Sequence, residues 1–112
     1  MTTVIFFKDT KQVYCGFSVS GHSGYGTEGE DIVCAAISSC TELVLNTLDS
    51  FGITYDTEID PDKAYVGCRV SKSENNKKSD DTASLVFESF KRTICDIEKE
   101  YQRYVKCIVT EV

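Results

Sequence analysis

Two stretches in which apolar residues recur every three and four positions, each preceded by a pair of short β-forming runs, limit what this chain can fold into more than any other feature. The first helical stretch begins at about Glu30 and runs through Val33, Ile37, Cys40, Val44, Leu48 and Phe51, with Gly52 as its stop. The second carries Ala83, Val86, Phe87, Phe90, Ile94, Ile97 and Tyr101 along one stripe. Thr3 to Lys8 and Val13 to Ser20 read as a hairpin turned at Asp9-Thr10-Lys11, with Val13, Cys15, Phe17 and Val19 expected on one face. Tyr55 to Ile59 and Ala64 to Ser71 form a second pair, joined at Asp60-Pro61-Asp62. Ser71 to Asp81, centred on Asn75-Asn76-Lys77-Lys78, reads as a solvated loop, and Tyr104 to Thr110 closes the chain as a last strand. The order β-β-α-β-β-α-β predicts a single α/β (α+β) domain over residues 1–112. Its expected form is a two-layer sandwich, a mostly antiparallel sheet with both helices on one face.

A chain of 112 residues and 12.5 kDa has enough surface to bury, about 12,000 Å² by mass scaling, for one core without staples. The longest uncharged apolar stretch falls far short of a membrane span, and no basic segment precedes an apolar run at the start. A secreted or membrane-anchored protein is therefore not expected. The net charge of −6 lacks the basic face that a generic grip on nucleic-acid phosphates needs. Six cysteines (Cys15, Cys34, Cys40, Cys68, Cys95 and Cys107) contain no Cys-x-x-Cys spacing, and most lie inside apolar runs. Five are read as core packing in a reducing cytoplasm. His22 is the only histidine and has no second ligand pair at short spacing, so neither metal nor cofactor is expected.

Four of the seven glycines crowd into residues 21–29, which marks a backbone-permissive loop between the second strand and the first helix. Gly24-Tyr25-Gly26-Thr27-Glu28-Gly29 satisfies the dinucleotide pattern G-x-G-x-x-G. The acidic Glu28, Glu30 and Asp31 stand where a pyrophosphate needs positive potential, and no parallel strand follows with an acidic residue in place. The nucleotide reading is set aside.

Cys34 falls in the first turn of the expected helix, where unpaired N–H groups and the macrodipole stabilise a thiolate over a thiol. His22 ends the preceding strand, across the glycine loop, so folding of residues 23–30 (Ser23, Gly24, Tyr25, Gly26, Thr27, Glu28, Gly29, Glu30) as a gate brings an imidazole toward the sulfur. The residues alone leave alternatives open. Cys34 reads equally as core, His22 as a turn residue, and Asp31 as a helix cap or as the group orienting His22. Ser38, one helical turn beyond Cys34, either donates to a substrate or packs. A resolving thiol for redox chemistry is poorly placed, since Cys40 points to a different helix face.

The run Gly21-His22-Ser23-Gly24-Tyr25-Gly26-Thr27-Glu28-Gly29-Glu30-Asp31-Ile32-Val33-Cys34-Ala35-Ala36-Ile37-Ser38 resembles the signature of the bacterial ribosomal-processing cysteine proteases, the Prp family. Gly-His, a glycine-bearing loop, Asp-Ile-Val-Cys-Ala-Ala and a serine occur in the family's order. Gly26 departs from it, where alanine is frequent. The resemblance implies a cytoplasmic, homodimeric endopeptidase. Its implied partner is a basic precursor of large-subunit ribosomal protein number twenty-seven, which it shortens by an N-terminal extension, cutting after an aromatic-rich apolar stretch. Cys34 is then the nucleophile and His22 the general base and acid. Asp31 and Ser38 become supporting residues, and Gly21 a backbone position beside the site. Backbone N–H groups at the helix entrance are the expected oxyanion donors. The competing class is a non-catalytic ribosome-associated binding or chaperone module.

Overall fold

The computed structural model describes residues 1–22, 26, 31–72 and 74–112. The strands are β1 (Thr2–Lys8), β2 (Tyr14–Ser20), β3 (Tyr55–Asp60), β4 (Tyr65–Val70) and β5 (Val105–Glu111), and the helices α1 (Ile32–Ser50) and α2 (Lys77–Glu100). A single 3-10 turn, Pro61–Lys63, joins β3 to β4. The sheet order is β3-β4-β2-β1-β5. All neighbours run antiparallel except β1 and β5, which are parallel, with Thr2 opposite Val105. The element order and the two-layer α+β architecture are those the sequence predicts.

The expected alternation through Val13, Cys15, Phe17 and Val19 fails in its first half. Phe7 pairs with Gly16 but Lys8 pairs with Tyr14, so Cys15 is an extra residue in a β-bulge. The bulge turns Tyr14 to the helix-covered face, where it is 6 % exposed and lies beneath the Lys8 ammonium. Phe17 and Val19 stay on that face with Phe6 and Val4.

The second difference is the start of α2. Residues 77–81 are helical rather than loop because Asn76 is an N-cap: its side-chain oxygen accepts from the Ser79 N–H at 2.9 Å. Asn75 meanwhile ties the preceding chain to β3, its amide donating to Thr54 O and Ser71 O at 2.7 and 2.9 Å. Gly52, at φ +68, follows α1 as the sequence requires. Phe51, however, lies beyond the helix and is exposed. On α1, Thr41 joins Val33, Ile37, Val44 and Leu48 in the buried stripe, and Cys40 is half-buried.

An aromatic cluster holds α2 to the sheet. Phe17 meets Phe87 and Phe90 edge-on at centroid distances of 5.8 and 5.1 Å, and Phe6 meets Phe90 at 5.3 Å. Each such buried ring contributes about 1.5–3 kcal/mol by area, and each edge-to-face pair about 0.5–1.5 kcal/mol more. α1 is long and apolar enough, by length and composition only, to cross a membrane. Its buried stripe instead completes the core against α2 and the sheet. That packing fixes the first turn of α1 above the ends of β2 and β4.

Candidate active site

Asp31 starts α1. One carboxylate oxygen, Oδ1, accepts from the backbone N–H of Val33 at 2.9 Å and of Cys34 at 3.0 Å, and the residue is 8 % exposed. The geometry shows Asp31 acting as a helix cap. This corrects one expectation. The N–H groups of Val33 and Cys34 are occupied by Oδ1 and that of Ala35 by the Asp31 carbonyl, so none of the three is free to receive an oxyanion. The cap charge also offsets the positive potential that an uncapped helix end would hold near the sulfur.

Cys34 sits in this first turn, half-buried, and Ser38 lies one turn further along the same face with its side chain exposed. His22 reaches the region from the sheet. Gly21, the residue after β2, takes φ +84, and a Cβ there would come within 2.6 Å of the Met1 carbonyl oxygen. Only glycine accommodates both demands. Its N–H donates to Ala64 O at 3.0 Å, and its carbonyl accepts from the Thr2 hydroxyl at 3.3 Å. The main chain is thus pinned from both sides just before His22, which is exposed.

Gly21, His22, Cys34 and Ser38 all line one cleft of about 340 Å³. The sequence-read nucleophile, base, supporting serine and backbone position are therefore brought together, while Asp31 stands behind them as the cap. Of the expected gate, Ser23, Gly24, Tyr25, Thr27, Glu28, Gly29 and Glu30 lie outside the described residues; Gly26 is exposed.

The rest of the lining was not read from the sequence. Thr2, Val19, Ile37 and Val66 supply one part, and Ile59, Pro61, Ala64 and Tyr65 the other. The segment Asp60-Pro61-Asp62 looks like turn chemistry only, and it is a turn: Asp60 caps it through the Asp62 and Lys63 N–H groups, and Ala64 closes it at φ +48. The antiparallel pairing of Ser20 with Tyr65 carries that turn beside His22. The result is a mostly apolar trough flanked by a thiol, an imidazole and a hydroxyl. That arrangement suits acyl transfer on an extended peptide with an apolar side chain at the cleft.

No curated protein matches the chain. Among solved structures, the Staphylococcus aureus ribosomal processing protease Prp bound to a covalently linked product peptide superposes with a TM-score of 0.84 at 22 % identity, covering 98 % of this chain and 100 % of that one. The same protease with a substrate peptide gives a TM-score of 0.80 at 22 % identity over the same shares of the two chains. SMU.848 from Streptococcus mutans gives 0.81 at 25 % identity, covering 100 % of this chain and 96 % of that one. These are likenesses of fold. The family model of the cysteine protease Prp matches residues 1–106, and on that match the chain belongs to the Prp cysteine protease family.

Proposed function

We propose that this chain is the endopeptidase that removes the N-terminal extension of large-subunit ribosomal protein number twenty-seven, with Cys34 as nucleophile and His22 as general base and acid. The observation that carries the reading is the shared cleft: the chain's only histidine and the first-turn cysteine of α1 line one trough, although they stand on opposite sides of residues 23–30.

In the reaction, His22 takes the Cys34 proton and the sulfur attacks the scissile carbonyl, forming a C–S bond. With the Val33, Cys34 and Ala35 N–H groups engaged, the Ser38 hydroxyl is the donor to the developing oxyanion. Collapse breaks the C–N bond, and the imidazolium protonates the departing amine, which is the new N-terminus of the ribosomal protein. The extension stays on Cys34 as a thioester. A water deprotonated by His22 then hydrolyses it and restores the thiol.

The mostly apolar trough supports a cut beside an aromatic or aliphatic residue. The net charge of −6, with Asp56, Glu58 and Asp60 along edge strand β3, supports attraction of a basic substrate, an effect that salt weakens. A cytoplasmic homodimer belongs to the same proposal. The test is mass spectrometry of the ribosomal precursor after incubation with the parental protein, Cys34→Ala and His22→Ala, each checked for folding. Trimming by the parent and its loss in both variants is the expected result; parental rates in either variant overturn the assignment.

A further inference from the structure

Cys95 on α2 and Cys107 on β5 face each other with their sulfurs 3.1 Å apart, both half-buried. Their main chains are held independently. Cys107 pairs with Val4 in the β1–β5 ladder, and its N–H donates to Glu98 Oε2 on α2 at 2.7 Å. The connection between them turns tightly at Tyr101, whose carbonyl accepts from the Tyr104 and Val105 N–H groups. A disulfide needs a sulfur separation of about 2.05 Å, so the pair must close by roughly 1 Å.

We infer that Cys95 and Cys107 form a reversible covalent staple between α2 and β5, closed by exchange with a small-molecule disulfide and reopened by thiols. The Cys95 thiolate attacks one sulfur of the small disulfide. That S–S bond breaks, one small thiolate leaves and takes a proton, and Cys95 becomes a mixed disulfide. The Cys107 thiolate then attacks the Cys95 sulfur and expels the second small thiolate. Two protein thiols are oxidised by two electrons in all, and the small disulfide is reduced to two thiols.

The surroundings of Cys107 slow the second step at neutral pH. Burial first, then the contact with Cys95 and the charge of Glu98, hold the Cys107 thiol up to about 12, with Lys91 opposing. From the sheet side Tyr14 faces the same pair and lies against Glu88. Burial and the Glu98 charge remain when Cys95 carries the small thiol, so closure is expected to speed up as pH rises on the alkaline side of neutrality. The staple bears on the proteolytic cleft as well as on stability, because β5 begins opposite Thr2, which lines that cleft.

The test treats the folded, full-length protein with oxidised glutathione, blocks remaining thiols with iodoacetamide, and maps tryptic peptides by mass spectrometry. The expected product joins the peptides spanning residues 93–99 and 107–112 within one molecule, and a thiol reductant separates them. The thermal midpoint rises by roughly 5–12 °C on closure. Cys95→Ser abolishes both effects, and Cys107→Ser stops at a glutathione adduct on Cys95. A parental protein that accumulates the Cys95 adduct without the joined peptide overturns the inference. So does a joined peptide that forms only between isotopically distinct molecules, or one that links either residue to a different cysteine.

Discussion

Replacing Asp31 separates the two things its carboxylate does at the start of α1. Asp31→Ala removes the acceptor of two hydrogen bonds, the buried one from Val33 N–H and the partly buried one from Cys34 N–H. A lost N-cap costs about 0.5–2 kcal/mol, and stranding a second donor adds about 1 kcal/mol, so a loss of about 1.5–3 kcal/mol is expected. For a chain of 112 residues that lowers the thermal midpoint by roughly 6–13 °C. Asp31→Asn keeps an amide oxygen in the capping position and should stay within about 1 kcal/mol of the parent. It also removes a negative charge within one turn of the Cys34 sulfur, worth on the order of 1 kcal/mol to a thiolate at a surface-like dielectric. Alkylation of Cys34 should then quicken about twofold to threefold, once the lower nucleophilicity of a more stable thiolate is allowed for. Calorimetry and iodoacetamide kinetics on the two variants read both numbers. If Asp31→Asn instead keeps its midpoint but loses Cys34 reactivity, Asp31 acts on His22, and the capping argument fails as an account of the site.

Gly21→Ala should cost more than a routine surface change, because a methyl group meets the Met1 carbonyl at a backbone angle that L-residues rarely adopt. Expected are about 1–3 kcal/mol of lost stability and a larger loss of peptidase rate, since the neighbouring His22 shifts with the main chain; a variant with parental kcat contradicts the pinning of His22. Alkaline solution should weaken the fold. Burial, then Glu88, raises Tyr14 to about 12; burial, then Asp49, does the same to Tyr55; burial, then Asp56, raises Cys68 from 9.0 to about 12. These groups stay protonated in the folded state where their unfolded counterparts have ionised, so the folded state binds more protons and stability falls as pH rises. The decline should begin near the ordinary thiol value of 9.0 and run to about 12. Tyr14→Phe should flatten it in a pH series of thermal midpoints, and an unchanged slope removes Tyr14 from the explanation.

The order of elements is legible in the sequence because each change of period is abrupt, from the alternating runs before Ser20 to the three-four spacing after Asp31. What is not legible is long-range or depends on a single polar atom. The parallel pairing of β5 with β1 joins the two ends of the chain and leaves no local mark. The bulge at Cys15 shifts a strand by one residue without changing its composition. Asn76 looks like part of a polar linker until its side chain is seen to accept from Ser79 N–H. At the site, residue type and position single out Cys34, His22 and Ser38 as candidates that read equally as packing or turn residues, and the resemblance to the Prp signature assigns their roles and adds Gly21. The apolar lining does not stand out, because Ile59, Pro61 and Val66 reach the cleft only through the registers of β2 and β3 on β4. The engagement of the helix-entrance N–H groups was hidden for another reason: a cap and an oxyanion donor want the same hydrogens, and only coordinates say which has them.

Alkylation rates of all six cysteines, resolved residue by residue at neutral pH, test most directly whether His22 activates Cys34. Cys34 should react at least about tenfold faster than Cys15, Cys40, Cys68, Cys95 and Cys107, and His22→Ala should bring it down to their level. Six comparable rates, or a fast Cys34 that is indifferent to the loss of His22, would contradict the account.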